Sequence, residues 1–204
     1  MATVFSVQGG IADRLPEADL YFFATDTTQR VRALERLLDR AYRKLVDGRK
    51  DFANLSEDGL SNIICTILST IGIDAKHDVK RGGHVDITVE DHATNFLWIA
   101  EAKIHRGASW TDAGFLQLTT RYGRSMRGRD HAEILIYHLE GSKPSAAILS
   151  DWKEHIEQNY EHVSVVGDHI VPDLYFRTEH ACNGSGLPYY VRHTIVPMTH
   201  APEK

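Results

Sequence analysis

A change in hydrophobic period near residue 83 constrains the fold of this chain more than any other feature. Before it, apolar residues recur at helical spacing in two segments, 31–45 and 60–71. After it, residues 84–90 alternate between polar and apolar, and a polar turn leads into a second apolar run at 96–104. The sequence therefore predicts two amphipathic helices followed by a β-hairpin.

Polar residues at the ends of both helical segments support this prediction. Asp26 stands three residues before Gln29, which is typical of a capping box, and Gly48 follows the last apolar position of the first helix. Ser56, with two acidic residues after it, opens the second helix, and Gly72 ends it. Both helices therefore have a predicted start and a predicted end.

The rest of the chain predicts further elements of both kinds. A third helix begins near Ser109 or Thr111 and runs to about Met126, with apolar residues on one side and Gln117, Arg121 and Arg124 on the other. An apolar strand follows at 132–139, and then a helix that contains Trp152. We expect an α/β fold with a mixed central sheet flanked by helices, in one domain over residues 1–204. Its core covers about 26–160, and 161–204 supply accessory strands and loops.

Composition excludes several classes of protein. With 42% apolar and 25% charged residues, the chain is expected to fold as an ordinary globular domain. We identify no apolar run long enough to cross a bilayer and no signal peptide, so a cytoplasmic location without membrane association is expected. The net charge of −5 argues against bulk coating of nucleic acid. Cys65 and Cys182 are too isolated to indicate a disulfide framework.

The predicted hairpin carries the residues that point to chemistry. Glu101 and Lys103 are two apart in a strand, so their side chains lie on the same face, while Ala102 points away. Asp86 lies in the partner strand and faces the same space if the pairing register allows it. Two carboxylates and one ammonium would then converge.

Convergent carboxylates are suited to a hard divalent cation. Mg²⁺ binds few protein oxygens and keeps waters and substrate phosphate oxygens, so Asp86 and Glu101 are the candidate metal ligands. Such a cation activates water and neutralises phosphoryl charge, which phosphodiester hydrolysis requires. Lys103 would position the water or stabilise the charge on phosphate, and the sequence leaves both roles open.

The pattern of Asp86 followed fifteen residues later by Glu101-Ala102-Lys103 resembles the D…(D/E)xK signature of the restriction-endonuclease-like, or PD-(D/E)xK, nucleases. The resemblance covers about 56–129. It implies that family's fold and Mg²⁺-dependent hydrolysis, with Mn²⁺ as an accepted substitute. It further implies that Glu57 is the family's helical acid and that Gln117 with Tyr122 corresponds to a Q-xxx-Y element. The chain departs from the pattern because one more residue separates Gln117 from Tyr122, and because the proline before the acid is absent.

The resemblance also implies partners and a biological setting. We expect a nuclease, endonuclease or exonuclease, that acts on DNA rather than RNA, with double-stranded DNA as the partner. A homodimer or higher homo-oligomer is expected, since two symmetric sites cut a duplex most simply. Restriction, anti-phage defence and DNA repair are the implied settings. The candidate phosphate contacts are the arginines after the motif: Arg121, Arg124, Arg127 and Arg129.

Several alternatives stay open at this point. Asp86, Glu101 and Lys103 are also compatible with a solvated strand end, and Glu57 with a favourable charge in a first helical turn. Gln117 is unremarkable on a polar helix face. The chain could be a non-catalytic module that binds nucleic acid or protein and retains the nuclease fold, or a nuclease that acts on structured RNA. Zinc is disfavoured because the twelve histidines lack ligand spacing with cysteine.

Overall fold

Seven strands form one mixed sheet in the computed structural model of the chain, which describes residues 16–123, 125–160, 163–171 and 174–200. The helices are α1 (Pro16–Phe22), α2 (Thr27–Asp47), α3 (Arg49–Phe52), α4 (Glu57–Thr70), α5 (Ala108–Leu116), a π-helix (Gln117–Tyr122) and α6 (Ser145–Asn159). The strands are β1 (Asp74–Lys80), β2 (His84–Asp91), β3 (Phe96–Ile104), β4 (His131–His138), β5 (Val163–Val171), β6 (Tyr175–Ala181) and β7 (Pro188–Pro197).

The strand order is β1-β2-β3-β4-β7-β6-β5. Strands β3, β4 and β7 run parallel to their neighbours in this central part, while β1–β2–β3 and β7–β6–β5 pair antiparallel. The predicted α/β class, with a mixed sheet and flanking helices, is confirmed, as is the β2–β3 hairpin. Strand β7 lies between β4 and β6, so this part of the C-terminal segment, expected to be accessory, is integral to the sheet.

Hydrophobic residues on the two faces of the sheet form two separate cores. In β3, Trp98 and Ala100 pack with the apolar stripes of α2 and α4 on one face. Ile99 packs on the opposite face with Phe115 of α5 and Trp152 of α6. Because side chains alternate along a strand, Glu101 and Lys103 project to the Ile99 face, the side that α5 covers.

Helices α2 and α4 begin where their capping residues predict. The Asp26 side chain accepts a hydrogen bond from Gln29 N at 2.8 Å, and Gly48 follows the last turn of α2. The Ser56 side chain accepts from Gly59 N at 3.1 Å at the start of α4. Gly72, with φ of +88°, turns the chain out of α4 toward β1.

Two elements differ from the prediction. The third helix was expected to reach about Met126, but it ends at Tyr122, and Met126 is exposed outside it. Gly123 explains this end, since glycine has low helix propensity, and its backbone is extended. Strand β1 was not predicted because it is an edge strand with few buried apolar residues.

A cluster of buried charged residues links α2 to the centre of the sheet. Glu133 of β4 is fully buried and accepts a hydrogen bond from the Tyr42 hydroxyl at 3.1 Å. Arg192 of β7, also buried, pairs with Asp39 of α2. Burial raises the pKa of Glu133 to about 7 despite the nearby Arg192 guanidinium. This carboxyl is therefore partly protonated near neutral pH.

None of the helices in the described part of the chain combines the length and the apolar character needed to cross a membrane.

Candidate active site

Strands β2 and β3 separate at Asp86. Their antiparallel pairing ends with Ile87 opposite Ala100, and the same register, if continued, sets Asp86 opposite Glu101. In place of a backbone ladder bond, Asp86 Oδ2 accepts a hydrogen bond from Ala102 N at 2.7 Å. The Asp86 carboxylate is therefore fixed against the β3 backbone where the two strands open.

The ammonium of Lys103 lies at the centre of the site. Its Nζ donates hydrogen bonds to Glu101 Oε1 at 2.8 Å and to Glu57 Oε1 at 3.2 Å. It also donates to Ala102 O at 2.9 Å and lies 3.8 Å from Asp86 Oδ2. The structure thus brings Asp86, Glu101, Lys103 and Glu57, all selected from the sequence, to one point.

Glu57 connects α4 to the end of β3. It is the first residue of α4, and its Oε2 accepts a hydrogen bond from Ile104 N at 2.8 Å. An acidic residue in the first turn stabilises its own helix without contacting any other element, so this hydrogen bond to β3 is not needed for that purpose. The carboxylate therefore does more than stabilise its own helix, because it holds both the β3 backbone and the Lys103 ammonium.

Burial and mutual repulsion shift the ionisation of the carboxyl groups. Burial first, and the Asp86 carboxylate second, raise the pKa of Glu101 to about 7. Burial also raises the pKa of Asp86. Burial alone would lower the pKa of Lys103, but Glu101, Asp86 and Glu57 outweigh it and raise that pKa above its usual value. Lys103 is therefore a fixed cation at neutral pH.

Helix α5 crosses the site at Gly114. A Cβ at this position would lie 3.1 Å from Lys103 Cε and 3.2 Å from Glu101 Cγ, closer than most side-chain contacts allow. The absence of a side chain lets α5 approach the charged pair and cover it. Glu101 is 2% exposed and Lys103 is 9% exposed as a result of this covering.

The π-helix holds Gln117 and Tyr122 at its two ends. Hydrogen bonds in a π-helix join residues five apart, so a single turn accommodates the additional residue between Gln117 and Tyr122. The Tyr122 hydroxyl donates to His84 O at 2.9 Å, beside the start of β2. Gln117 is half-buried, and its backbone N–H donates to Ala113 O. Its side chain makes no hydrogen bond within the described part of the chain, so the side chain is not held against the four charged residues.

The arginines selected from the sequence do not form one cluster. Arg121 and Arg129 line the same cavity, together with Arg81 from the end of β1. Arg127 is exposed and lines a different cavity near the start of α2. Arg124 lies outside the described residues. Only part of the expected basic track is therefore brought together.

A divalent cation would be held by Asp86 and Glu101. Among the described residues, no group of three or more His, Cys, Asp or Glu side chains has metal-binding geometry. Mg²⁺ requires only one or two protein carboxylates, because waters and substrate phosphates complete its shell. Glu101 Oε2 is buried and makes no hydrogen bond, and it is the kind of oxygen that a cation would satisfy. The residues present therefore fit a two-carboxylate magnesium site.

Two residues of the site region were missed from the sequence. Gly114 could have been found, since a glycine inside a predicted helix often marks a close approach of another element. Arg81 could not, because it follows the unpredicted strand β1.

Comparison of the chain with protein-family models, with curated proteins and with solved structures finds no match.

Proposed function

We propose that the protein is a metal-dependent nuclease of the restriction-endonuclease-like class that hydrolyses phosphodiester bonds in nucleic acid, DNA in preference to RNA. The observation that carries the proposal is the position of Lys103 Nζ, within 4.0 Å of carboxylates from Glu101, Glu57 and Asp86. These residues come from α4, β2 and β3, so only the tertiary fold assembles them. A solvated strand end would leave them apart.

Under this proposal each side chain has a role that its contacts support. A Mg²⁺ ion held by Asp86 and Glu101 would supply Lewis-acid polarisation of the phosphate and a more acidic water. Lys103, which stays protonated, would stabilise negative charge on the phosphoryl oxygens instead of accepting a proton. Glu57 positions the Lys103 ammonium through its 3.2 Å hydrogen bond. Homo-oligomer formation and a defence or repair setting belong to the same proposal.

A panel of substrates tests the proposal. Purified protein is incubated with supercoiled plasmid, linear duplex DNA and single-stranded RNA in Mg²⁺, in Mn²⁺ or in EDTA. We expect cutting of DNA in either metal and none in EDTA. Preferential cutting of RNA would identify the substrate as RNA. Binding without cutting in every condition would instead favour a non-catalytic module that retains the fold.

Gly114→Ala is expected to reduce cleavage with little change in stability. The new Cβ would displace α5 or the Glu101–Lys103 pair by a few tenths of an ångström, and misplacement approaching 1 Å costs up to about a hundredfold in rate. We expect roughly a tenfold loss of cleavage rate. The free energy of unfolding should change by less than about 1 kcal/mol, because alanine favours the helix while the contact opposes it.

The matched control is Ala113→Ser, at the exposed neighbouring position of α5. It should cleave at the wild-type rate. Full activity in Gly114→Ala would show that close approach of α5 has no catalytic consequence.

A further inference from the structure

A cavity of about 360 Å³ lies on the face of the sheet to which Glu101 and Lys103 project. Leu97 and Ile99 of β3 line it, and in the alternation of that strand the next residue on their face is Glu101. Tyr122, whose pKa is raised by burial and then by the Glu101 carboxylate, lines the cavity as well. The cavity therefore neighbours the candidate active site, on the same face of β3 and one side-chain position before Glu101.

Three guanidinium groups give this cavity a net positive charge. Arg81 pairs with the buried Glu90, which offsets one of the three charges. Arg129 donates from Nε and Nη2 to the neutral Asn95 side chain, so its charge is not offset there. Arg121 is exposed and makes no ion pair within the described residues. Two uncompensated guanidinium groups suit a phosphate, to which arginine donates bidentate hydrogen bonds.

The remaining wall of the cavity is apolar and aromatic. Leu97 and Ile99 form its sheet side, Met126 and the rings of Tyr122 and Tyr189 lie around it, and the imidazole ring of His131, which contacts Asp130, also lines it. Met126 is 57% exposed and contributes a large apolar surface that the fold does not bury. A phosphate track alone would not need this surface, whereas a nucleobase packs well on aromatic and thioether groups.

We propose that this cavity binds one unstacked nucleotide, with its base on the apolar wall and its phosphate on Arg121 and Arg129. The volume is at the small end of the roughly 300–1,000 Å³ that small-molecule sites occupy, which suits a single nucleotide. The inference rests on the proposed nuclease function, since it places this nucleotide beside the cleaved bond. In a fully paired duplex the bases are stacked and cannot reach the wall, so the inference favours DNA in which a single-stranded segment or end supplies the unstacked base.

Ligand binding in EDTA tests the cavity without requiring cleavage. We expect deoxyadenosine monophosphate to bind roughly tenfold or more tightly than inorganic phosphate, because base stacking contributes about 1–3 kcal/mol. Arg121→Ala should weaken nucleotide binding roughly tenfold, since a hydrogen bond to a charged group is lost. The control Arg32→Ala, at an exposed residue of α2 that does not line this cavity, should bind as wild type does.

Two results would overturn the inference. Equal binding of nucleotide and inorganic phosphate would reduce the cavity to a phosphate contact, and absence of nucleotide binding would remove it as a ligand site.

A cleavage experiment then separates this inference from the proposed function. We expect faster cutting of a duplex with a single-stranded overhang than of the same blunt duplex. If both duplexes are cut at the same rate, the nuclease proposal stands and the binding of an unstacked nucleotide is contradicted. If neither duplex is cut, the nuclease proposal is contradicted and the result of the binding experiment still stands.

Discussion

Asp86→Asn is expected to lower Mg²⁺-dependent DNA cleavage by roughly a thousandfold or more, because loss of a metal ligand removes several kcal/mol of transition-state stabilisation. The fold should persist. The asparagine side-chain oxygen can still accept the hydrogen bond that Asp86 Oδ2 receives from Ala102 N at 2.7 Å. The substitution therefore removes the negative charge and keeps the contact that fixes the side chain.

Cleavage rates at saturating Mg²⁺, together with thermal unfolding, check this prediction. Asp74→Asn is the matched control, because Asp74 is exposed on the edge strand β1, where its carboxylate forms an ion pair with Lys76. It should retain the wild-type rate. Wild-type cleavage by a folded Asp86→Asn protein would exclude Asp86 as a metal ligand.

Glu133→Gln is expected to flatten the dependence of stability on pH. Burial raises the pKa of Glu133 to about 7 in the folded protein, from its ordinary value of 4.5. Between these values the folded chain holds a proton that the unfolded chain has lost. Stability therefore falls as pH rises through this window, and the loss, on the order of 3 kcal/mol, is complete above about pH 7. Glutamine cannot ionise and still accepts from the Tyr42 hydroxyl.

Urea unfolding at pH 5 and pH 8 measures this difference. Wild type should lose more free energy of unfolding between the two pH values than Glu133→Gln does, while the exposed control Glu140→Gln should follow wild type. The variant should still lose some stability as pH rises, because the pKa of buried Glu101 is also raised, but this loss should be smaller than in wild type. If the free energy of unfolding changes equally with pH in wild type and Glu133→Gln, Glu133 has the same pKa in the folded and the unfolded chain, which contradicts this prediction.

Local signals in the sequence were sufficient for the helices α2 and α4 and for the β2–β3 hairpin. Capping by Asp26 and Ser56 depends on residues within one turn, and the period of two in 84–90 is a property of the strand itself. Strands β1 and β5 to β7 were not placed. Strand β1 lacks the buried apolar residues that mark a strand, and the position of β7 depends on pairing with the distant β4, which no local pattern encodes.

The candidate site was predictable in part for the same reason. A common face for Glu101 and Lys103 follows from their spacing, and the hairpin register brings Asp86 toward them. The contact of Glu57 with Lys103 depends on how α4 packs on the sheet, so sequence order suggested the residue and not its partner. The arginines were expected to act as one group, but whether they share a cavity depends on the path of the chain after Tyr122. Among the described residues, Arg121 and Arg129 line one cavity and Arg127 lines another.

The most direct measurement compares Mn²⁺ binding and plasmid cleavage in wild type and Lys103→Met. Lys103 is not a metal ligand in the proposed site, and its ammonium lies among three carboxylates. We predict that Lys103→Met binds Mn²⁺ at least as tightly as wild type and cleaves roughly a hundredfold or more slowly. Cleavage at the wild-type rate by Lys103→Met, or no Mn²⁺ binding by either protein, would contradict a catalytic metal site built on Asp86, Glu101 and Lys103.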